Sequence, residues 1–118
     1  MTESEIESKA GSFIPLTETM FLILLSLLES RHGYGIMQDA VRLSQGRVKI
    51  GPGTLYGALN VLVKQGLIER RDEQESEGER RKIYGLTPLG AAVVRIECDR
   101  LENLAASARL ALNCNAKD

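Results

Sequence analysis

The order of apolar and polar residues in the first half of the chain predicts a pair of packed helices. Residues 17–30 are apolar on nearly every side of a helix, which is typical of a deeply buried one. Residues 35–43 form a second predicted helix, with Ile36, Ala40 and Leu43 on one side. We therefore expect the core to begin with these two helices.

Glycine and proline residues divide the chain after the second predicted helix. The alternating residues 48–50 predict a very short strand, and Gly-Pro-Gly at 51–53 interrupts the chain before a third predicted helix at 54–65. Gly66 follows directly, and we expect it to end that helix in the left-handed conformation.

The second half of the chain predicts a hairpin followed by a long helix. Residues 67–71 and 81–86 have strand character, and the polar segment between them forms the tip of the hairpin. Thr87 with Pro88 behind it predicts a helix start, because proline is favoured at the first helical position. This helix is expected to run to about Leu112.

This order of elements predicts a mainly α fold with a small β-hairpin wing, a winged helix-turn-helix plus a C-terminal dimerisation helix. The expected organisation is a flexible or loosely helical arm at 1–14, a winged-helix DNA-binding domain at 15–87, the C-terminal helix at 88–113 and a tail at 114–118. In this fold the third helix enters the major groove of DNA.

Charge is segregated along the chain, although the total is only −1. Residues 1–30 carry a net −4, residues 31–71 carry +5, residues 72–79 carry −5, and Arg80-Arg81-Lys82 carries +3. Segregated charge is what a binding face requires, but any charged surface can show such blocks, and the pI of about 5.9 is low for a nucleic-acid binder. The acidic residues 72–79 are repelled by phosphate, so we expect the wing tip to point away from DNA or to be disordered.

The third predicted helix has one apolar and one polar side. The apolar side, expected to face the core, consists of Leu55, Ala58, Leu59, Leu62 and Val63. The opposite side consists of Thr54, Tyr56, Gly57, Asn60, Val61 and Lys64. Hydroxyl, amide and ammonium groups are those that contact phosphates and base edges. Gly57 inside the helix costs about 1 kcal/mol relative to alanine, and a close approach of the backbone to another surface, such as a DNA groove, would explain that cost. The alternative is a solvated face on which Thr54 only caps the helix and Tyr56 only shields Gly53.

Composition and residue inventory exclude several other classes of protein. The 118 residues are 43% hydrophobic and 26% charged, which is typical of one globular domain, and no apolar run is long enough for a membrane span. Cys98, Cys114 and His32 lack metal-site spacing, so we expect no metal and no cofactor, and His32 is a candidate helix cap. The acidic N-terminus is unlike a signal peptide, so free thiols and a cytoplasmic location are expected. No residue set supports acid–base or nucleophilic chemistry, so an enzyme is not expected.

Four segments in a fixed order carry a family resemblance. They are LTETMFLILLSLL at 16–28, HGYGIMQDA at 32–40, GPGTLYGALNVLVKQGLIE at 51–69 and RRKIYGLTPLG at 80–90. With these segments the sequence resembles the PadR family of bacterial winged-helix transcriptional regulators over nearly the whole chain, from residue 16 to about 104. The same segments separate it from MarR-type regulators.

The resemblance implies a homodimer that binds a palindromic double-stranded DNA operator and usually represses transcription. The residues that it implies for DNA contact are Tyr34, Gln38, Thr54, Tyr56, Asn60, Lys64, Arg80, Arg81 and Lys82. Lys49, in the basic block 31–71, is a further candidate for DNA contact. The alternative is a winged-helix protein-interaction module without DNA binding, which the acidic wing tip favours.

The last predicted helix has an apolar stripe with heptad-type spacing, expected to face a second copy of the helix. The stripe consists of Ala91, Val94, Cys98, Leu101, Ala105, Ala108 and Leu112. A second stripe, of Leu89, Val93 and Ile96, is expected to pack on the helix at 17–30. The alternative is that the whole helix folds back as core, and Cys98 is expected to be a small core residue. Some PadR-like proteins bind aromatic effectors at the dimer interface, but this sequence has no specific effector signature, so a small-molecule effector stays unidentified.

Overall fold

The computed structural model describes residues 1–71 and 82–116. Within these ranges the chain forms a group of helices beside a small sheet. The helices are α1 (Glu3–Gly11), α2 (Glu18–Ser26), α3 (Gly33–Leu43), α4 (Pro52–Lys64) and α5 (Pro88–Ala116). The strands are β1 (Arg31–His32), β2 (Ile68–Arg70) and β3 (Ile83–Leu86). The predicted mainly α fold with a small β element is confirmed.

The sheet has three antiparallel strands in the order β1-β3-β2, rather than the two of the predicted hairpin. Strand β3 is central and pairs Tyr84 with both Arg31 of β1 and Arg70 of β2. The two-residue strand β1 is too short for any alternation to predict, and it forms only because β3 provides a partner. Residues 48–50, predicted as a strand, have no strand structure.

Helix α2 lies in the core, as its apolar sequence predicts, and packs against α3 and α5. It ends at Ser26, four residues earlier than predicted. The Ser26 hydroxyl donates to the carbonyl oxygen of Ile23 (2.6 Å), and Arg31 Nε donates to the carbonyl oxygen of Ser26 (2.7 Å). These side-chain bonds satisfy groups that a longer helix would otherwise bond. The large side chains that are fully buried include Ile23, Leu24, Leu27, Ile36, Leu55, Leu59, Leu62, Leu67, Ile68 and Val93.

Helices α3 and α4 both begin two residues before the predicted positions. His32 is the N-cap of α3, because its Nδ1 accepts a hydrogen bond from the backbone N–H of Gly35 (3.3 Å). Gly51 is the N-cap of α4 and Pro52 its first residue, so Thr54 lies inside the helix and does not cap it. Gly66 follows α4 with φ +76°, which confirms the predicted left-handed residue.

Helix α1 lies within residues 1–14, for which the sequence predicts a flexible or loosely helical arm. Thr2 caps the helix by accepting a hydrogen bond from the Glu5 backbone N–H (3.2 Å). Ala10 is fully buried, and α1 packs against α5, where Arg95 forms an ion pair with Glu7. With so few apolar residues in α1, the sequence pattern is weak, and the contact with α5 supplies the missing stabilisation.

Thr87 alone connects β3 to α5, and its hydrogen bonds hold it to the end of α4. Its hydroxyl donates to the carbonyl oxygen of Gly66 (2.6 Å), and its backbone N–H donates to that of Leu67 (3.1 Å). The first turn of α5 passes so close to this segment that a Cβ at Gly90 would overlap the Leu67 carbonyl oxygen. The sheet and the start of α5 are therefore tightly joined.

Candidate nucleic-acid interface

One side of α4 is buried and the other is exposed. Leu55, Leu59 and Leu62 face the core, as predicted. Val63, predicted for the same side, is 40% exposed, because it lies about 80° around the helix from Leu55, at the margin of the buried side. The exposed residues that the sequence assigns to the outer side are Thr54, Tyr56, Gly57, Asn60, Val61 and Lys64.

Gly57 has no packing reason to be glycine. It lies inside α4 and is exposed, and a Cβ built on it would meet no atom within 4 Å. Alanine would therefore fit the isolated chain and would favour the helix by roughly 1 kcal/mol. The bare backbone here leaves room for another molecule to approach α4 closely.

Tyr56 lies against the first residue of α3. A Cβ at Gly33 would lie 2.5 Å from the Tyr56 hydroxyl oxygen and 3.0 Å from its Cζ. A Cβ at Gly53 would meet no atom within 4 Å, so Tyr56 does not shield Gly53. The ring thus bridges α4 and α3 while 46% of the residue stays exposed.

The start of α3 and the base of the wing lie next to each other. Tyr34 and Gln38 on α3 are exposed. Ile83 pairs with His32, which is the N-cap of α3. Lys82, which is exposed, directly precedes Ile83. The sheet therefore brings the wing base to the end of α3 that Tyr56 also reaches.

Several arginines of the basic block 31–71 are engaged within the chain. Asp39 is buried, and its Oδ1 accepts a hydrogen bond from Arg42 Nε (2.8 Å) and lies 2.7 Å from Arg42 Nη2. Its Oδ2 lies 3.7 Å from Arg31 Nη2. Arg47 donates a hydrogen bond to Glu18 and thereby lowers the pKa of that carboxyl group. These arginines are thus paired with carboxylates of the same chain, although the side chains of Arg42 and Arg47 remain largely exposed.

Arg71 joins the wing base to the turn after α2. Its Nη1 donates to the Ser30 hydroxyl (2.7 Å), and its Nη2 donates to the carbonyl oxygen of Leu86 (2.9 Å). The guanidinium group covers Gly85, where a Cβ would collide with it. Arg71 therefore links the last residue of β3 to the turn after α2.

Three lysines of the predicted DNA-contact set remain available. Lys49, Lys64 and Lys82 are exposed and form no ion pair within residues 1–71 and 82–116. Counting charges along the sequence does not distinguish these lysines from the paired arginines, because ion pairs such as that of Arg47 with Glu18 join residues far apart in the chain. Arg80, Arg81 and the wing tip at 72–79 lie outside the described residues.

The predicted dimerisation stripe on α5 is only partly available to a second copy. Val94 belongs to the chain's own core, since it is 8% exposed, and Cys98 is exposed rather than a core residue. The two differ because α5 packs on the rest of the chain only along its first half. The exposed members of the stripe are Ala91, Cys98, Leu101, Ala105, Ala108 and Leu112. Leu104, which the heptad pattern omits, is 57% exposed.

A cleft of about 370 Å³ lies between α2 and α5. Its lining is mostly apolar and includes Phe21, Leu25 and Leu101. Glu97 at its edge is 1% exposed and accepts a hydrogen bond from the Leu16 backbone N–H (2.6 Å). The cleft has a size that suits a small ligand.

No group of three or more His, Cys, Asp or Glu side chains that could hold a metal ion occurs among the described residues. In the same part of the chain, every helix is too short or too polar to cross a bilayer.

A helix-turn-helix formed by α3 and α4, with a small sheet beside it, defines a winged-helix protein of the kind that reads DNA. The model of the family described as "Transcriptional regulator PadR-like family" matches residues 22–96. The chain belongs to this family of transcriptional regulators.

Known relatives agree with this assignment. Transcriptional regulator Rv3488 of Mycobacterium tuberculosis is 34% identical over 74 residues, which are 63% of this chain and 65% of that protein. The match thus spans just under two thirds of the relative's length.

Solved structures show the same fold. A PadR family transcription regulator from Clostridium difficile R20291 has a TM-score of 0.66 and 27% identity, over 79% of this chain and 97% of that one. Bacillus subtilis PadR in complex with operator DNA has a TM-score of 0.59 and 23% identity, over 74% of this chain and 48% of that one.

Proposed function

We propose that the chain acts in the cytoplasm as a homodimeric repressor that binds a palindromic double-stranded DNA operator through α4. The observation that carries the proposal is the outer side of α4, where Asn60 and Lys64 are exposed and Gly57 leaves the backbone bare. An amide reads the edge of adenine, an ammonium group binds phosphate, and a bare helix backbone can enter the major groove closely. The operator complex of Bacillus subtilis PadR, which has a similar fold, supports the same use of the fold here.

The second half of α5 supports the dimer. Leu101, Leu104 and Leu112 are exposed on neighbouring positions around the helix. An extended helix of this kind is stabilised when a second copy covers its apolar side. A two-fold dimer places two α4 helices in related positions, and such a pair binds a palindrome.

The cleft between α2 and α5 supports an effector. A small apolar molecule would contact Phe21 and Leu25 of α2 and Leu101 of α5 at the same time. Binding there would change how α5 lies on α2 and, in the dimer, the separation of the two DNA-binding faces, which relieves repression.

Binding to the DNA upstream of its own gene, against a random duplex, tests the proposal. We expect specific binding whose affinity falls steeply with salt concentration. Gly57→Ala is expected to raise the free energy of unfolding by roughly 0.5–1 kcal/mol and yet to weaken operator binding, because the new methyl group lies between α4 and the groove. Gly11→Ala is the matched control, since Gly11 is also exposed, helical and without neighbours within 4 Å, but lies on α1.

A Gly57→Ala variant that is stabilised and binds the operator as well as the wild type contradicts the assigned face. A folded dimer that binds neither duplex at low salt favours the protein-interaction module instead. Sedimentation equilibrium decides the oligomeric state, and a monomer at micromolar concentration rules out the homodimer.

A further inference from the structure

Gly33 and Tyr56 fit together in a way that links the two helices of the helix-turn-helix. A Cβ at Gly33 would lie 2.5 Å from the hydroxyl oxygen of Tyr56, 3.0 Å from its Cζ and 3.3 Å from its Cε1. Gly33 is buried, although the next residue, Tyr34, is 62% exposed. The tip of the tyrosine ring therefore occupies the space in which a side chain at position 33 would lie.

The backbone of Gly33 does not itself require glycine. Among the described glycines only Gly46 and Gly66 have positive φ, and Gly33 has the ordinary conformation of a first helical residue. Other residues are well tolerated at that position of a helix. Contact with Tyr56 is thus the steric reason for glycine in this structure.

Tyr56 stays accessible in this arrangement. It begins on the flank of α4 and ends at α3, with 46% of its surface exposed. A tyrosine has only two side-chain torsions, so contact at the tip of the ring leaves it little freedom. A phenol held in one position loses less entropy when it binds than one that moves freely.

We infer that Gly33 is a positioning residue for DNA recognition, which acts by holding the Tyr56 phenol at the start of α3, where its hydroxyl donates to operator phosphate. This inference rests on the proposed function, since it requires that α4 binds DNA. The role of Gly33 is indirect, and Tyr56 makes the contact.

A double-mutant cycle on operator affinity tests the inference. Gly33→Ala displaces the ring, and Tyr56→Phe removes the hydroxyl, so each is expected to weaken operator binding about tenfold, the loss of one hydrogen bond to a charged group. The double variant Gly33→Ala/Tyr56→Phe is expected to bind no more weakly than either single variant, because both changes remove the same interaction. The slope of affinity against salt concentration stays unchanged in all three, since no cation is lost.

Gly35→Ala is the matched control in the same helix. A Cβ at Gly35 would meet its nearest neighbours, Arg31 and His32, at 3.7 Å, an ordinary van der Waals distance. This variant is expected to bind the operator as well as the wild type.

Additive losses in the double variant, or an unchanged affinity of Gly33→Ala, overturn the inference. A merely structural role of Gly33 lowers the free energy of unfolding but leaves the affinity of the folded protein unchanged. If Gly33→Ala does not fold, Tyr56→Ala in the same chain is expected to restore folding, and a double variant that stays unfolded also overturns the inference. Absence of operator binding by the wild type contradicts the proposed function instead, and the two failures are therefore distinguishable.

Discussion

Replacing Glu97 by glutamine is expected to lower the free energy of unfolding by about 2 kcal/mol at neutral pH. Glu97 is almost completely buried on α5. Its Oε2 accepts a hydrogen bond (2.6 Å) from the backbone N–H of Leu16, which lies 81 residues earlier in the chain. Its Oε1 accepts a hydrogen bond from Nε of Arg100. One carboxylate thus joins α5 to the segment that precedes α2.

The magnitude follows from the two partners. A hydrogen bond to a charged acceptor contributes about 1.5–3 kcal/mol, and the glutamine oxygen can still accept the Leu16 N–H, though without the charge. The glutamine NH₂ group then faces the Arg100 guanidinium, where two donors meet. Arg100 is 34% exposed, so its ion pair adds at most about 1 kcal/mol.

The effect depends on pH with a defined sign. The hydrogen bond from Arg100 lowers the pKa of Glu97 below its ordinary value of 4.5, burial opposes that shift, and the Leu16 N–H adds to it. As pH falls, the unfolded chain therefore takes up the proton first. The stabilisation is complete above the ordinary pKa and is lost as pH falls through the lower pKa of the folded chain, so the wild type and the glutamine variant converge in acid.

Urea unfolding followed by circular dichroism, at one fixed protein concentration, measures this difference. Glu102→Gln is the control, because Glu102 is exposed on the same helix and its replacement should change stability by less than about 0.5 kcal/mol. A Glu97→Gln variant no less stable than the control refutes the reasoning, and so does a difference that persists unchanged in acid.

Three further substitutions test other parts of the structure. Lys64→Ala is expected to weaken binding to all DNA sequences and to reduce the slope of log affinity against log salt concentration by about one. Lys9→Ala on α1 is the control and is expected to leave affinity and slope unchanged, as measured by a salt titration of DNA affinity. Asn60→Ala is expected to relax the preference at one base position by about 1–3 kcal/mol, and equal losses on specific and random DNA count against base recognition. Gly90→Ala places a Cβ onto the Leu67 carbonyl oxygen and 2.9 Å from its carbonyl carbon, so a loss of at least about 3 kcal/mol or failure to fold is expected; wild-type thermal stability would contradict that contact.

Local pattern predicts those elements whose stabilisation comes from their own sequence. Helix α4 combines an apolar side with Gly66 behind it, and α2 is apolar on nearly every side, so both are evident without a structure. Strand β1 has two residues and depends on β3, and α1 depends on α5, so their residues carry little local signal.

In the candidate site, too, some features follow from local sequence and others depend on packing. Exposure of Asn60 and Lys64 follows from helical periodicity. The contact of Tyr56 with Gly33, and the engagement of Arg71 by Ser30, 41 residues earlier in the chain, depend on how elements pack. Charge counted along a segment therefore overstates the number of cations available to a ligand, because it contains no information on pairing across the fold.

The single-residue connection at Thr87 bears on the spacing between operator half-sites that a dimer can bind. Since Thr87 is bonded to both Gly66 and Leu67, no hinge separates the end of α4 from the start of α5. In the proposed dimer, the crossing of the two α5 helices then sets both the distance and the rotation between the two α4 helices. One base pair inserted between the half-sites rotates one of them by about 34–36° about the DNA axis, and this chain has no joint at Thr87 that could follow. In the proposed dimer, we therefore expect such an insertion to weaken operator binding.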